Sequence, residues 1–183
     1  LPDDEKPQRN ESKFISDIVR PINAQDGDLL PVSAYETTAD GSWEVGTAKY
    51  EKRGVSAFVP VWDPEKCIQC NKCAYVCPHA AIRPFVMDEK EAAGFKDATQ
   101  EMKAPATMKG MRFRIQVDVL DCLGCNNCVD VCSGLKGEKA LKMTTLSTQL
   151  DEDKNWEYLV NNVKSKQDLI DPASNVRVSQ FAT

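Results

Sequence analysis

Eight cysteines fall into two runs of one spacing, Cys67-x-x-Cys70-x-x-Cys73-x-x-x-Cys77 and Cys122-x-x-Cys125-x-x-Cys128-x-x-x-Cys132, with a cysteine-free stretch between them. Thiols at this density are bridged, metallated or reactive, so their use constrains whatever the chain folds around. A structural zinc site takes two Cys-x-x-Cys pairs per ion and has no need of a third cysteine at this spacing. A disulfide framework fits no better, because such triplets close poorly into bridges and no charged-then-apolar export leader opens the chain. Three thiolates on one tight loop do match three irons of a [4Fe-4S] cube. The chain then turns into a helix and carries the fourth thiolate away.

In the bacterial two-cluster pattern that fourth cysteine ligates the other cluster. Cluster A is therefore expected on Cys67, Cys70, Cys73 and Cys132, and cluster B on Cys122, Cys125, Cys128 and Cys77. An aspartate stands four residues before each run, Asp63 and Asp118, and an apolar segment follows each, so the runs read as a pseudo-twofold repeat. Pro78 after Cys77 keeps the pattern; Ser133 after Cys132 departs from it and makes Cys132 the least secure ligand. Gly124 stands where close backbone approach to sulfur favours glycine, although its counterpart is Gln69. Ile68, Leu123, Tyr75, Val76, Val129, Val131, Ile82 and Leu141 are the apolar residues expected to keep water from the clusters. Lys66, Lys72 and Arg83 read more readily as solvated surface than as counter-charges. The single histidine, His79, reads as a turn or surface residue, since eight thiolates already suffice for two cubes.

The rest of the chain narrows the function by exclusion. A net charge of -5 argues against nucleic-acid binding, and no apolar run approaches the roughly 20 residues that span a bilayer. Gly-x-Gly-x-x-Gly and Gly-x-x-x-x-Gly-Lys are both missing, and no Ser, His and Asp set stands in a convincing context. No catalytic residue is assigned, and the chain is expected to move electrons rather than transform a substrate. Beginning at Leu1 and stopping without a finishing element, it reads as a piece of a longer polypeptide.

An α+β fold is expected, in four parts. Residues 1–21 form a charged arm and one short helix, capped by Ser12 and ended by Pro21. Residues 22–60 form a small irregular domain with turns at Asp26-Gly27 and Asp40-Gly41. Residues 61–148 form the two-[4Fe-4S] ferredoxin-like domain, with an insertion near 84–112. Within it, alternation of Phe113, Ile115, Val117 and Val119 with Arg114, Gln116 and Asp118 predicts a half-buried strand. Residues 149–183 form a helix burying Trp156, Leu159, Val160 and Val163, then an extended strap.

The stretch Gly46-Thr47-Ala48-Lys49-Tyr50-Glu51-Lys52-Arg53-Gly54 resembles the EKR domain of pyruvate:ferredoxin (flavodoxin) oxidoreductases. Asp28-Leu29-Leu30-Pro31-Val32-Ser33 before it and Phe58-Val59-Pro60 after it carry the same resemblance. So do the junction Trp62-Asp63-Pro64-Glu65-Lys66-Cys67 and the segment Gly137-Glu138-Lys139-Ala140-Leu141; together the likeness covers residues 22 to 183. It implies a large homodimeric parent enzyme of anaerobic metabolism that oxidises pyruvate and coenzyme A to acetyl-CoA and CO2. The implied cofactors of that parent are thiamine diphosphate, Mg2+ and a third [4Fe-4S] cluster. This chain would hold the two outer clusters and pass electrons to ferredoxin or flavodoxin, and a fused flavin domain reducing NADP is a further family arrangement. The implied setting is the cytoplasm of an anaerobic bacterium, or the cytosol or a hydrogenosome-type compartment of an anaerobic protist. Asp26-Gly27-Asp28 is not a thiamine-diphosphate motif. Glu51, Lys52 and Arg53 read as anchors of a loop or interface rather than as groups acting on substrate. A free-standing ferredoxin-like carrier, or a subunit of another redox complex, is the alternative.

Overall fold

The computed structural model describes residues 10–103, 106–171 and 173. The charged arm at 1–9 and most of the expected exit strap lie outside the described residues. The chain divides between Arg53 and Gly54 into two compact units.

The first unit is built from single turns. Ser12 starts its helical segment as expected, with its carbonyl accepting from the Ile15 and Ser16 N–H groups at 3.1 Å. Pro21 does not end that segment. Ile15–Val19 is wound as a π-helix in which the Arg20 N–H reaches the Ile15 carbonyl, and α1 (Arg20–Asn23) carries the proline near its own start. There its missing N–H is tolerated. Short 3₁₀ turns follow at Gly27–Leu29, Val32–Thr38 and Thr47–Tyr50. Trp43 meets Phe14 edge-on at 5.1 Å between ring centroids.

The second unit holds the strands. In chain order it contains β1 (Phe58–Trp62), α2 (Lys72–Tyr75), β2 (Ile82–Met87), α3 (Glu89–Ala93) and β3 (Gln100–Glu101). After these come β4 (Arg112–Val117), α4 (Asn127–Asp130), β5 (Leu141–Thr145) and α5 (Glu152–Asn162). This mixture of helix and strand matches the α+β expectation. β1 pairs antiparallel with β5, and β2-β4-β3 form a second antiparallel sheet. Pro60 and Pro84 are tolerated because β1 and β2 are both edge strands. Residues 58–60, expected at the end of the irregular domain, belong instead to the unit that carries the cysteines, since β1 finds its partner there. The insertion is the stretch between the paired strands β2 and β4. Its helix α3 starts in a capping box, with Asp88 accepting from the Lys90 and Glu91 N–H groups at 2.9 Å.

β4 is buried on both faces, not half-buried. Arg114, Gln116 and Asp118 are as inaccessible as Phe113, Ile115 and Val117, because α5 packs over their side. Glu152 at the start of α5 accepts from Arg114 Nη2 at 2.7 Å and from Gln116 Nε2 at 2.9 Å, which satisfies the polar row. α5 buries Asp153, Trp156 and Leu159, while Val160 faces solvent and Val163 is only partly covered. The inward face is therefore rotated toward Asp153 relative to the apolar pattern.

Candidate functional site

The two cysteine runs fold as matching loops. Each leading aspartate accepts from a backbone N–H of the turn before the first cysteine: Asp63 from Glu65 at 3.0 Å and Asp118 from Asp121 at 3.2 Å. Left-handed backbone recurs at the same positions, Gln69 and Asn71 in the first loop and Gly124 and Asn126 in the second, with φ between 57° and 68°. One-turn helices α2 and α4 follow at equivalent places. The backbone curls around the first sulfur of each run, so that the N–H of Gln69 points at Cys67 Sγ and that of Gly124 at Cys122 Sγ, both at 3.4 Å.

Around these loops lie two apolar cavities. The first is lined by Cys67, Cys70, Cys73 and Cys132, the second by Cys122, Cys125, Cys128 and Cys77. Three cysteines of each cavity come from one run and the fourth from the other. The strands divide their side chains in register. The β1/β5 pair Trp62↔Leu141 lines the first cavity and Pro60↔Met143, two residues along, lines the second. On β4, Ile115 faces the first cavity and Val117 the second, where its β2 partner Ile82 joins it. Because side chains two apart share a face of a strand, one face serves both cavities.

Of the expected apolar wall, Ile68, Leu141, Ile82 and Leu123 line a cavity. Tyr75, Val76, Val129 and Val131 do not; they lie on or beside the short helices, and Tyr75 is exposed. The residues sequence reasoning missed, Pro60, Trp62, Ile115, Val117 and Met143, sit on strands whose pairing brings them over the loops. His79 lines the second cavity at its exposed edge. Lys66 forms ion pairs with Asp63 and Glu138, a surface arrangement. No motif marks Lys103, whose Nζ donates to the Cys67 carbonyl at 2.9 Å.

The glycine question is answered by different neighbours. At Gly124 a Cβ would stand 2.9 Å from the Phe58 carbonyl oxygen and closer still to Ser56 Oγ, in addition to the cost of φ +67°. Gln69 has room, and its buried amide clasps the insertion. Its Nε2 donates to Gln100 Oε1 at 3.0 Å and to the Glu101 carbonyl at 2.9 Å, while its Oε1 accepts from Lys103 N at 3.0 Å. Gln100 Nε2 in turn donates to the Cys67 carbonyl at 3.0 Å. Cys132, despite Ser133, accepts from the Ala140 N–H at 3.2 Å. Its loop depends on Gly134, where a Cβ would overlap the Glu138 carbonyl.

All eight cysteines are unbridged. Burial pushes the Cys73 thiol up, as do the neighbouring Cys67 and Cys70. Burial likewise pushes Cys128 up to about 11, with help from Cys122. Thiols held neutral in this way are poor nucleophiles and become good ligands only when an adjacent cation takes the proton's place. The fit is to a multi-metal group: four sulfurs around each apolar space, backbone N–H groups turned toward sulfur, and buried polar atoms of Trp62 and Asn71 with no hydrogen-bond partner beside the first cavity.

Comparison with known proteins agrees. Residues 2–56 match the EKR domain, a domain of unknown function, and residues 66–134 match a 4Fe-4S dicluster domain. The chain is 47% identical over 148 residues to a pyruvate-flavodoxin oxidoreductase of Enterobacter agglomerans, covering 81% of this chain and 12% of that protein. It is 51% identical over 142 residues to the pyruvate:ferredoxin oxidoreductase of Moorella thermoacetica, covering 74% of this chain and 11% of that protein. Over 183 residues it is 43% identical to a pyruvate dehydrogenase [NADP(+)] of Cryptosporidium parvum, covering 97% of this chain and 9% of that one. The chain thus spans 9 to 12% of the length of these curated relatives.

Proposed function

Because the chain belongs to the pyruvate:ferredoxin (flavodoxin) oxidoreductase family, as its EKR and 4Fe-4S dicluster segment, we propose that it is the electron relay of such an enzyme. In this reading cluster A is held by Cys67, Cys70, Cys73 and Cys132, and cluster B by Cys122, Cys125, Cys128 and Cys77. The observation that carries it is that each cavity takes three cysteines from one run and the fourth from the other. The matching aspartates, left-handed positions and one-turn helices support a pseudo-twofold relation between the halves.

A bound [4Fe-4S] cluster supplies one-electron redox chemistry. The chain's own residues hold it and set its surroundings. Gln69 and Gly124 offer backbone N–H groups to sulfur, and Trp62, Leu141, Pro60 and Met143 exclude water. Lys103 brings positive charge beside Cys67. The second cavity reaches the surface at Cys125 and Leu123, both exposed, which makes its rim the more accessible of the two.

The parent reaction in this proposal is oxidation of pyruvate with coenzyme A to acetyl-CoA and CO2, with thiamine diphosphate, Mg2+ and a third cluster held outside this segment in a homodimer. Relatives of this segment are named for flavodoxin, ferredoxin and NADP(+). A relay common to all three leaves the choice of acceptor to the rest of each protein. The implied setting is an anaerobic cytoplasm or a hydrogenosome-type compartment; among the described residues no helix is long and apolar enough to cross a membrane.

Anaerobic reconstitution is expected to load about eight irons and eight acid-labile sulfides, giving cubane signals on reduction. Four irons or none would sink the reading. Cys77→Ser should damage the cluster served by the second run and spare the other, and damage confined to the first run's cluster would refute crossed ligation.

A further inference from the structure

The polar groups left unspent around the two cavities are unequally divided. Beside the first cavity, Trp62 Nε1 and both ends of the Asn71 amide are buried without a hydrogen-bond partner. A buried donor without an acceptor is costly, and native interiors hold few of them. The two donors among these groups, Trp62 Nε1 and Asn71 Nδ2, face one cavity, and an acceptor inside it would explain that coincidence. At the second cavity both groups are lost or spent. The position of Trp62, five residues before the run, is taken by Val117, which has no donor. The position of Asn71 is taken by Asn126, whose Nδ2 donates to Asp130 Oδ1 at 2.8 Å. Tyr75 stands where Asp130 would, so Asn71 has no carboxylate to turn to. His79, also on the second cavity, is exposed to water.

We propose that Trp62 and Asn71 set the potential of the cluster held by Cys67, Cys70, Cys73 and Cys132, by donating hydrogen bonds from the indole N–H and the side-chain amide to its sulfurs. This rests on the two-cluster reading above and goes beyond it by dividing the clusters into one with side-chain donors and one without. Reduction adds negative charge to the sulfurs, so a donor aimed at them favours the reduced state and raises the potential. Trp62 is held in place by its pairing with Leu141, and Asn71 by the left-handed turn of its loop. Both are positioning residues: they touch the carrier and take no electron.

The test uses the full 183-residue chain, reconstituted anaerobically, with the two clusters titrated separately by their paramagnetic signals on reduction. Trp62→Phe and Asn71→Gly, which keep an aromatic ring and tolerate the left-handed backbone, are each expected to lower the midpoint of the same cluster. The expected shift is about tenfold in the reduction equilibrium, or ~59 mV for one electron. The other cluster serves as the internal reference and stays unmoved. In wild-type chain labelled with ¹⁵N in the indole ring, the reduced cluster is expected to show hyperfine coupling to that nitrogen, a readout that needs no variant to fold. Unmoved midpoints, equal shifts of both clusters, or absence of the nitrogen coupling would overturn the proposal. Iron and sulfide counted on the same samples separate the two failures: missing clusters overturn both readings, whereas intact clusters without these effects overturn this one alone.

Discussion

Gly134 and Gly137 stand three residues apart after Cys132, both with positive φ, and their surroundings differ completely. A Cβ at Gly134 would overlap the Glu138 carbonyl, whereas one at Gly137 would meet nothing within 4 Å. Gly137→Ala should therefore cost only the left-handed strain, about 1–2 kcal/mol. Gly134→Ala adds overpacking against backbone and should cost about 2–5 kcal/mol in total. Denaturant midpoints with unchanged slopes would measure this, and equal losses at the two glycines would contradict it. Gly134→Ala should also displace Cys132, so the first cavity's cluster is expected to load poorly. At this scale the grouping of the cysteines around the two cavities was legible, because eight cysteines at fixed spacing leave few alternatives. The need for Gly134 was not legible: it arises from the Glu138 carbonyl folding back over it, and neither residue announces that approach.

The elements show why pattern reading stopped where it did. Alternation along β4 located a strand correctly, yet it cannot separate a polar row facing water from one facing another element. Arg114 and Gln116 are buried because Glu152, about forty residues on, supplies their partner. Burial alone would raise the Glu152 carboxyl, but Arg114, with Asn155 and Gln116, overcomes it and holds the carboxyl below its ordinary value. A carboxylate with a depressed folded pKa stabilises the fold above its unfolded value and loses that contribution as pH falls through the folded one. Unfolding titrations should accordingly show the Arg114–Glu152 contribution complete above pH 4.5 and failing below it. Glu152→Gln is expected to cost about 1.5–3 kcal/mol at neutral pH and to flatten the acid limb of the profile. An unchanged acid limb would show that the pair does not stabilise β4 against α5. The insertion follows the same logic. Gln100 supports both Cys67 and Gln69, so Gln100→Ala should weaken the first loop by about 1–3 kcal/mol. Its expected consequence is faster air bleaching of that loop's cluster than of the other, followed by the loss of each signal, and equal bleaching would place the clasp outside cluster protection.

For the whole molecule, legibility divides at Arg53/Gly54. Before it, the first helical segment buries Ile15 and Ile18, but the turns that follow leave Leu29, Val32 and Val45 exposed, so beyond that segment periodicity had little to report. After it, the cysteine runs and the strand pattern made an α+β unit readable, while the pairing of β1 with β5 depends on contacts about eighty residues apart in sequence. That long-range closure carries one more consequence. Each cavity joins sulfurs from both runs, so a bound cluster closes a loop of tens of residues, and metal binding free energy becomes folding free energy for both loops at once. Chelating iron from the proposed relay should therefore deprotect the amides of α2 and α4 together, although Cys77 follows the one and Cys132 the other. Cys77→Ser and Cys132→Ser should each raise exchange in the helix of the opposite run as well as in their own. Hydrogen exchange followed through a chelator titration measures this directly. Two separate transitions, with each helix responding only to its own run, would mean that the sulfurs do not cross and that the β1/β5 and β2/β4 pairs hold the halves together without them.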